Sequence, residues 1–376
     1  MNLPTVITLT FNAKRNRVSK NKELRDGLSA VMQIADTLWV ANDEATSLER
    51  LSLVKSRKSG GMTFSSHEQF ALHDFLRLPR RVKGSKSQPE VDVEGLAYAE
   101  GYLWVVGSHS LIRRKPESDD GDKEARQQLQ QVSRSGNRYL LARIPVEEAH
   151  GIPRLAKKVT QDGTKRRAAQ LRGDDQGNDL TKALRRDGHL RSYFSIPGKD
   201  NGFDIEGLAV VGKRIFLGLR GPVLRGWAVI LELALREGRK KASLLKLKPI
   251  GPHGRLYRKH FIHLGGLGIR DLCAQGSDLL ILAGPTMSLE GPVHVFRWRG
   301  GAEPKGESMV PFEKLDHLLD VPHGRDVGHA EGMTLFSANG GPADSLMVIY
   351  DSIPKKRQSA ACAVTADLFP LPNAIK

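Results

Sequence analysis

One segment of this chain is written twice, and that repeat limits what the chain can fold into. Residues 91-VDVEGLAYAEGYLWVVGSHS-110 return as 202-GFDIEGLAVVGKRIFLGLRGP-222. Each copy runs acid, glycine, small apolar strand, polar turn, stronger apolar strand. Strand-forming residues bounded by Gly, Asp, Asn and Ser turns predict a β-hairpin. Aligning on the acid adds three looser copies, 25-RDGLSAVMQIADTLWVAND-43, 270-RDLCAQGSDLLILAGPT-286 and 329-HAEGMTLFSANGGPADSLMVIYDS-352. The aligned acids are Asp26, Glu94, Glu206, Asp271 and Glu331, spaced 68, 112, 65 and 60 residues apart.

A unit of about 60 residues built from successive hairpins predicts four-stranded propeller blades, not a helical solenoid. The expected fold is all-β: a single β-propeller domain over 1–376, with five blades, six being the alternative. Further strands are expected at WAVILEL, KHFIHL, VHVFRW, RYLLARIP and RSYFSIP. The last unit is one strand short. The N-terminal strand from Thr5 to Phe11 is expected to supply it and close the ring, removing exposed sheet edges. The long spacing holds two polar, basic insertions in the second blade, 114–137 and 147–190. The first reads as a mobile loop, and the second carries short helical patterns such as DLTKALRRDG.

In such an architecture the start of each first strand and the end of each second strand open on one face. Glycine permits close backbone approach near the axis, so the acids are expected to converge on a shared mouth. Asn42, Asp43, Ser108, His109, Arg220, Thr286, Asp351 and Ser352 should surround them. Converging carboxylates repel, and they call for a cation, protons or arginine partners. The candidate metal ligands are therefore Glu94, Glu206, Glu331, Asp26 and Asp271. For Asp26 and Asp271 the alternative is a bond to the backbone of the neighbouring blade. The candidate catalytic residues are His109, Arg220, Arg270 and Asp351. Arg220 reads either as an anion clamp or as a salt-bridge partner of Glu206 or Asp271. His109 reads as base, ligand or structural residue. Oxygen ligands without cysteine suit Ca²⁺, Mg²⁺ or Mn²⁺, and His109 and His329 also admit Zn²⁺. No organic cofactor is expected.

Lys and Arg number 58 against 42 Asp and Glu, a net charge of +16. Such a field favours nucleic acid, nucleotides or other polyanions, the alternative being a solvated basic surface. Few aromatics interleave the basic clusters, so a base-stacking surface is not indicated. No run reaches the roughly 18 apolar residues of a membrane span. Cys273 and Cys362 lie in apolar runs and read as buried thiols. With the N-terminus read as a strand rather than a secretory leader, the expected location is the cytoplasm. A nucleophile elbow, a phosphate loop, a paired-cysteine zinc site and a dinucleotide fingerprint are all absent from the sequence.

The segments DVEGLA, GLRGPVLRGWAVILEL, GIRDL, LLILAGPTM and HAEGM together resemble a bacterial family of β-propeller proteins known only as a domain of unknown function. The resemblance covers nearly the whole chain outside the insertions. It implies the fold and leaves the activity open. More distantly, the EGLA blade start is similar to that of phytase-like esterase and gluconolactonase (regucalcin-like) propellers. Five blades around a central cation resemble the calcium-activated nucleotidases (apyrases). These resemblances imply a divalent metal at the channel mouth and hydrolysis of phosphate or lactone esters. The expected function is metal-assisted hydrolysis of a small anionic ester. The alternative is a non-catalytic scaffold whose basic insertions dock a protein or nucleic-acid partner.

Overall fold

Among the described residues, strand pairing traces five antiparallel meanders of four strands each. The first comprises Leu28–Ile34, Thr37–Asn42, Ser47–Val54 and Met62–Ala71. The second comprises Val93–Ala99, Tyr102–Gly107, Leu141–Ala149 and the short Ala169–Leu171. Asp204–Val211, Arg214–Gly221, Trp227–Glu237 and Arg258–His263 form the third. Gly268–Gln275, Asp278–Gly284, Val293–Trp298 and Asp316–Val321 form the fourth. The fifth joins both ends of the chain: His329–Phe336, Ser345–Asp351 and Ala363–Pro370 continue into Thr5–Thr10, with Thr5 opposite Leu368 and Thr10 opposite Ala363. The computed structural model describes residues 4–19, 22–54, 61–80, 89–116, 119–239, 241–324, 326–338 and 340–371.

The first strands of the five units neighbour one another in a closed cycle, the first beside the second and the fifth beside the first. The architecture is all-β and propeller-like. Its core lies between units rather than at a centre. Four clusters of buried side chains fill these spaces, the largest drawing on the fourth, fifth and first units through Leu282, Val348 and Val31. Each unit is therefore covered on both faces. This explains why the second strands read as continuous apolar runs such as LWVA, IFLGL and LLILAG instead of alternating. Every residue of Thr37–Asn42 and Tyr102–Gly107 is buried.

Three sequence expectations need correction. The segment read as a mobile loop holds an α-helix, Asp122–Gln130, between the paired strands Ile112–Arg113 and Val132–Ser133. RSYFSIP is not a strand but a 3₁₀ turn, Arg191–Ser195. Pro197 lacks the donor a ladder needs, and Phe194 instead stacks on Phe203 at 4.2 Å. Cys362 is half-exposed in the turn before the last strand, whereas Cys273 is buried as expected. In the second insertion DLTKAL is helical over Asp179–Leu184, with Asn178 and Thr181 forming a reciprocal cap at its start. Among the described residues no helix is long and apolar enough to cross a membrane.

Candidate functional site at the mouth of the ring

The first strand of every unit begins with a β-bulge, and the bulges build the site. An extra residue in one strand goes unpaired and its side chain is re-aimed. In the second, third and fifth units this residue is Glu94, Glu206 and Glu331. In the fourth it is Arg270, not Asp271, and in the first it is Ser29, not Asp26. The acid-based alignment was thus displaced by one residue in one unit and by three in another. The five acids do not converge on one point.

The position after the bulge faces the next unit. A Cβ on Gly95 would lie 2.7 Å from Leu208 Cβ, and one on Gly207 would lie 2.8 Å from Leu272 Cγ. Glycine is required there by contact, not by backbone angle. Asp271 holds this position in the fourth unit and uses it as a clamp. Its carboxylate accepts from the backbone N–H of Leu272 at 2.7 Å and of Met333, in the fifth unit, at 2.8 Å. Asp271 therefore has the inter-unit role. Asp26 lies in a 3₁₀ turn ahead of the first strand, half-exposed beside Arg25, and its carbonyl accepts from Ser352 N–H at 3.0 Å. Neither Asp26 nor Asp271 lines the cavity.

The bulge residues and the ends of the second strands surround a cavity of about 630 Å³. Glu94, Glu331, Arg220, Arg270 and Asp351 line it, together with Asp43, Asp92, Asp204, His329 and Ser352. Glu206 does not itself line it but is locked by two arginines that do. Arg220 Nη1 donates to Glu206 Oε1 at 2.8 Å, and Arg270 Nε stands 3.3 Å from Oε2. Arg270 Nη2 also pairs with Glu331. Arg220 is fixed further by the Thr286 carbonyl, 2.8 Å from its Nε, and lies 3.8 Å from Asp204. With both oxygens of Glu206 facing guanidinium groups, the structure presents it as an arginine partner rather than a metal ligand. Arg220 and Arg270 are likewise committed to carboxylates.

His109 is not at the cavity. Its backbone, at φ +60°, turns the ring away from the mouth. Nδ1 donates to the Gly107 carbonyl at 2.7 Å, so Nε2 accepts from the Asn178 amide at 2.7 Å. Burial pulls its pKa down to about 4, which keeps the ring neutral. His109 joins the second unit to the helix cap of the insertion. Further cations at the cavity come from segments outside the repeat, Arg113, Arg114 and Lys115 as well as the two that follow. Arg138, in the turn Gly136–Tyr139, binds Asp92 at 2.8 Å and Glu90 at 2.6 Å. Lys199 is exposed over the opening. Sequence reasoning missed both because they follow no repeat position. The only signal was their place in the basic long spacing.

Charge balance decides what this cavity favours. Its lining carries ten carboxylates against seven permanent cations, Arg113, Arg114, Lys115, Arg138, Lys199, Arg220 and Arg270. Despite the net charge of +16 for the chain, the mouth is short of positive charge. Carboxyls here hold their protons more tightly than usual, first because they are buried and then because they crowd one another. Burial, then Asp351, Asp92 and Glu331, push Asp43 well up; burial, then Asp92 and Glu206, do the same to Glu94. Asp204 is pushed up to about 7 by burial and Glu206 against the pull of Arg220. Glu331 is raised by burial, against Arg270. For Lys199 burial acts downward, but it is outweighed by Glu331, Asp43 and Glu94, and the amine is raised.

His329, Glu331 and Asp351 present one ligand atom each within 4.8 Å of one another. His329 and Asp351 are direct partners across the fifth hairpin, and Glu331 is that hairpin's bulge. Two carboxylates and one imidazole on a rigid sheet can hold a divalent cation, Mn²⁺ most readily and Mg²⁺ or Ca²⁺ through the oxygens.

Comparison with known proteins gives a family and distant likenesses in fold. A family model described as a protein of unknown function, DUF3616, matches residues 27–367. No curated protein matches the chain in sequence. A PQQ-bound aldose sugar dehydrogenase from Streptomyces coelicolor aligns with 98% of this chain and 100% of its own, at 10% identity and a TM-score of 0.32. A structure titled as a candidate 6-phosphogluconolactonase from Bacteroides uniformis aligns with 91% of this chain and 70% of its own, at 10% identity and a TM-score of 0.29. These overlaps assign nothing to the cavity.

Proposed function

The chain belongs to this family of unknown function, DUF3616, and from that premise we propose a cation-dependent hydrolase of a small anionic ester, a phosphoester or lactone acid, working at the mouth of the ring. In this reading the whole chain is one propeller, the five meanders are its blades, and 114–137 and 147–190 are insertions in the second. The unbonded thiols Cys273 and Cys362 accord with a cytoplasmic setting.

The observation that carries the reading is the His329–Glu331–Asp351 cluster opening onto a cavity with a surplus of carboxylates. A bare anion would meet that surplus, so a cation has to bind first. A bound divalent cation would polarise the ester oxygen and lower the pKa of water. Arg270 holds Glu331 at the cluster, and Glu206 in turn holds Arg270. Lys199, exposed above the opening, can reach an anionic group. Asp43 and Glu94, with proton affinity raised by burial, stand within the cavity as acid–base candidates.

Metal content measured by plasma mass spectrometry on protein purified without chelator, beside Asp351→Asn, tests the premise. Near-stoichiometric Mn, Mg or Ca, lost in a folded variant, supports it and directs a phosphoester and lactone screen. Metal-free wild type would remove it.

A second reading has its own observation. The hairpin Lys158–Gln161/Thr164–Arg167 projects exposed Lys158 and Lys165 from the second unit. This suits a scaffold that docks an acidic protein or nucleic acid. Binding lost on trimming that hairpin, with the cavity variants silent, would favour it.

A further inference from the structure

On the rim of the fourth unit, away from the cavity, His294, His317 and Asp320 form a cluster that the repeat does not explain. Val293–Trp298 is the third strand of that sheet and Asp316–Val321 its edge strand. His294 stands directly opposite Asp320. Residues 317 and 320 are three apart and would point to opposite faces of a regular strand. A register shift between Val295 and Phe296 leaves Leu318 unpaired, so His317 comes opposite Phe296 and turns to the same face as Asp320.

The resulting geometry is compact. Asp320 Oδ1 lies 2.7 Å from His294 Nδ1 and 2.8 Å from His317 Nε2, and the two ring nitrogens are 3.4 Å apart. Tetrahedral zinc with bonds of about 2.0–2.1 Å separates its ligands by roughly 3.3 Å. The His–His distance already meets that spacing, and the carboxylate needs to retreat by about half an ångström. Both imidazoles are backed edge-on by Phe296, with centroids at 5.7 and 5.6 Å, and Phe312 packs on that ring in turn. The rings are thus held in place on a sheet, and the face opposite Phe296 is open to solvent.

We propose that His294 Nδ1, His317 Nε2 and Asp320 Oδ1 form a zinc site that pins the edge strand of the fourth unit to its neighbour and keeps one coordination position open to solvent. Two imidazoles and one carboxylate suit Zn²⁺ over Ca²⁺ or Mg²⁺. The site is separate from the His329–Glu331–Asp351 cluster in position and in metal preference, and it stands whether or not the cavity binds a cation.

The test uses full-length protein stripped with chelator and loaded with Co²⁺, then titrated with Zn²⁺. The cobalt d–d absorption and the metal retained after gel filtration are recorded. One equivalent that zinc displaces is expected in the wild type and in Asp351→Asn. His317→Gln and His294→Gln should each weaken it at least about tenfold, since even outer-sphere partners of a metal cost that much. Both histidines are partly exposed, so their variants should keep the wild-type circular dichroism. The proposal is overturned by wild type that retains no metal, by binding unchanged in both histidine variants, or by binding lost in Asp351→Asn.

Discussion

Arg270 and Glu331 are ion-paired across the junction of the fourth and fifth units, and the same guanidinium reaches Glu206 in the third at 3.3 Å. Arg270 holds the bulge position that glutamate holds in both neighbouring units. One arginine thus replaces a carboxylate that would otherwise crowd two others. All three are largely buried, so removing one partner strands an uncompensated charge away from water.

Removing that guanidinium leaves two buried carboxylates facing each other. Arg270→Met should lower unfolding free energy by about 3–5 kcal/mol, measured by chemical denaturation. Adding Glu206→Gln to it should restore part of the loss. Equal stability of Arg270→Met and wild type would show that the network contributes nothing.

Asp271 predicts a different pattern. Asp271→Ala orphans the N–H groups of Leu272 and Met333 and should cost about 1–3 kcal/mol. It should leave metal binding at the mouth unchanged, because its carboxylate faces the next unit. A loss of bound metal with stability intact would reverse that assignment.

The cavity variants separate the two glutamates that the sequence treated alike. Glu331→Gln and Asp351→Asn should abolish Mn²⁺ binding at the cavity, while Glu206→Gln should retain it with weaker affinity. Isothermal titration with Mn²⁺ reads this directly.

Proton linkage gives a pH signature. Burial and Glu206 push Asp204 up to about 7 in the fold, so the folded state keeps a proton that the unfolded chain loses near about pH 4. Stability of the chelated protein should fall as pH rises from about 4 to about 7 and level off above. Asp43 and Glu94 act in the same direction. Asp204→Asn should flatten the slope, and saturating Mn²⁺ should reverse it, since the metal binds the deprotonated ligands. A stability that climbs through this range without metal would contradict the raised values.

Glycine after the bulge is testable as packing. Gly207→Ala puts a methyl 2.8 Å from Leu272 Cγ and should cost about 1–3 kcal/mol, seen as a lower thermal midpoint.

Strands and hairpins were legible because their determinants are local. Apolar β-branched runs, glycine-marked turns and a repeating unit report a short-range preference that burial on both faces then satisfies. The family resemblance read from DVEGLA to HAEGM is matched by the model spanning 27–367. Where the sequence misled, the cause was register. RD in 270-RDL and EG in 206-EGL look like an acid aligned with an acid, yet the second strand pairs so that Arg270, not Asp271, bulges. Nothing in either strand alone fixes which residue is extra.

The sequence by itself determined the strand content, the hairpin repeat and a set of carboxylates and arginines near strand ends. Tertiary structure decided which of them meet. It sent Asp271 into a backbone clamp and His109 beneath the mouth, and it tied Glu206 to two arginines. It also brought Arg138 and Lys199 in from outside the repeat. The reason is physical: hairpin formation depends on neighbours in sequence, whereas the charge balance of a cavity depends on five units meeting at one mouth.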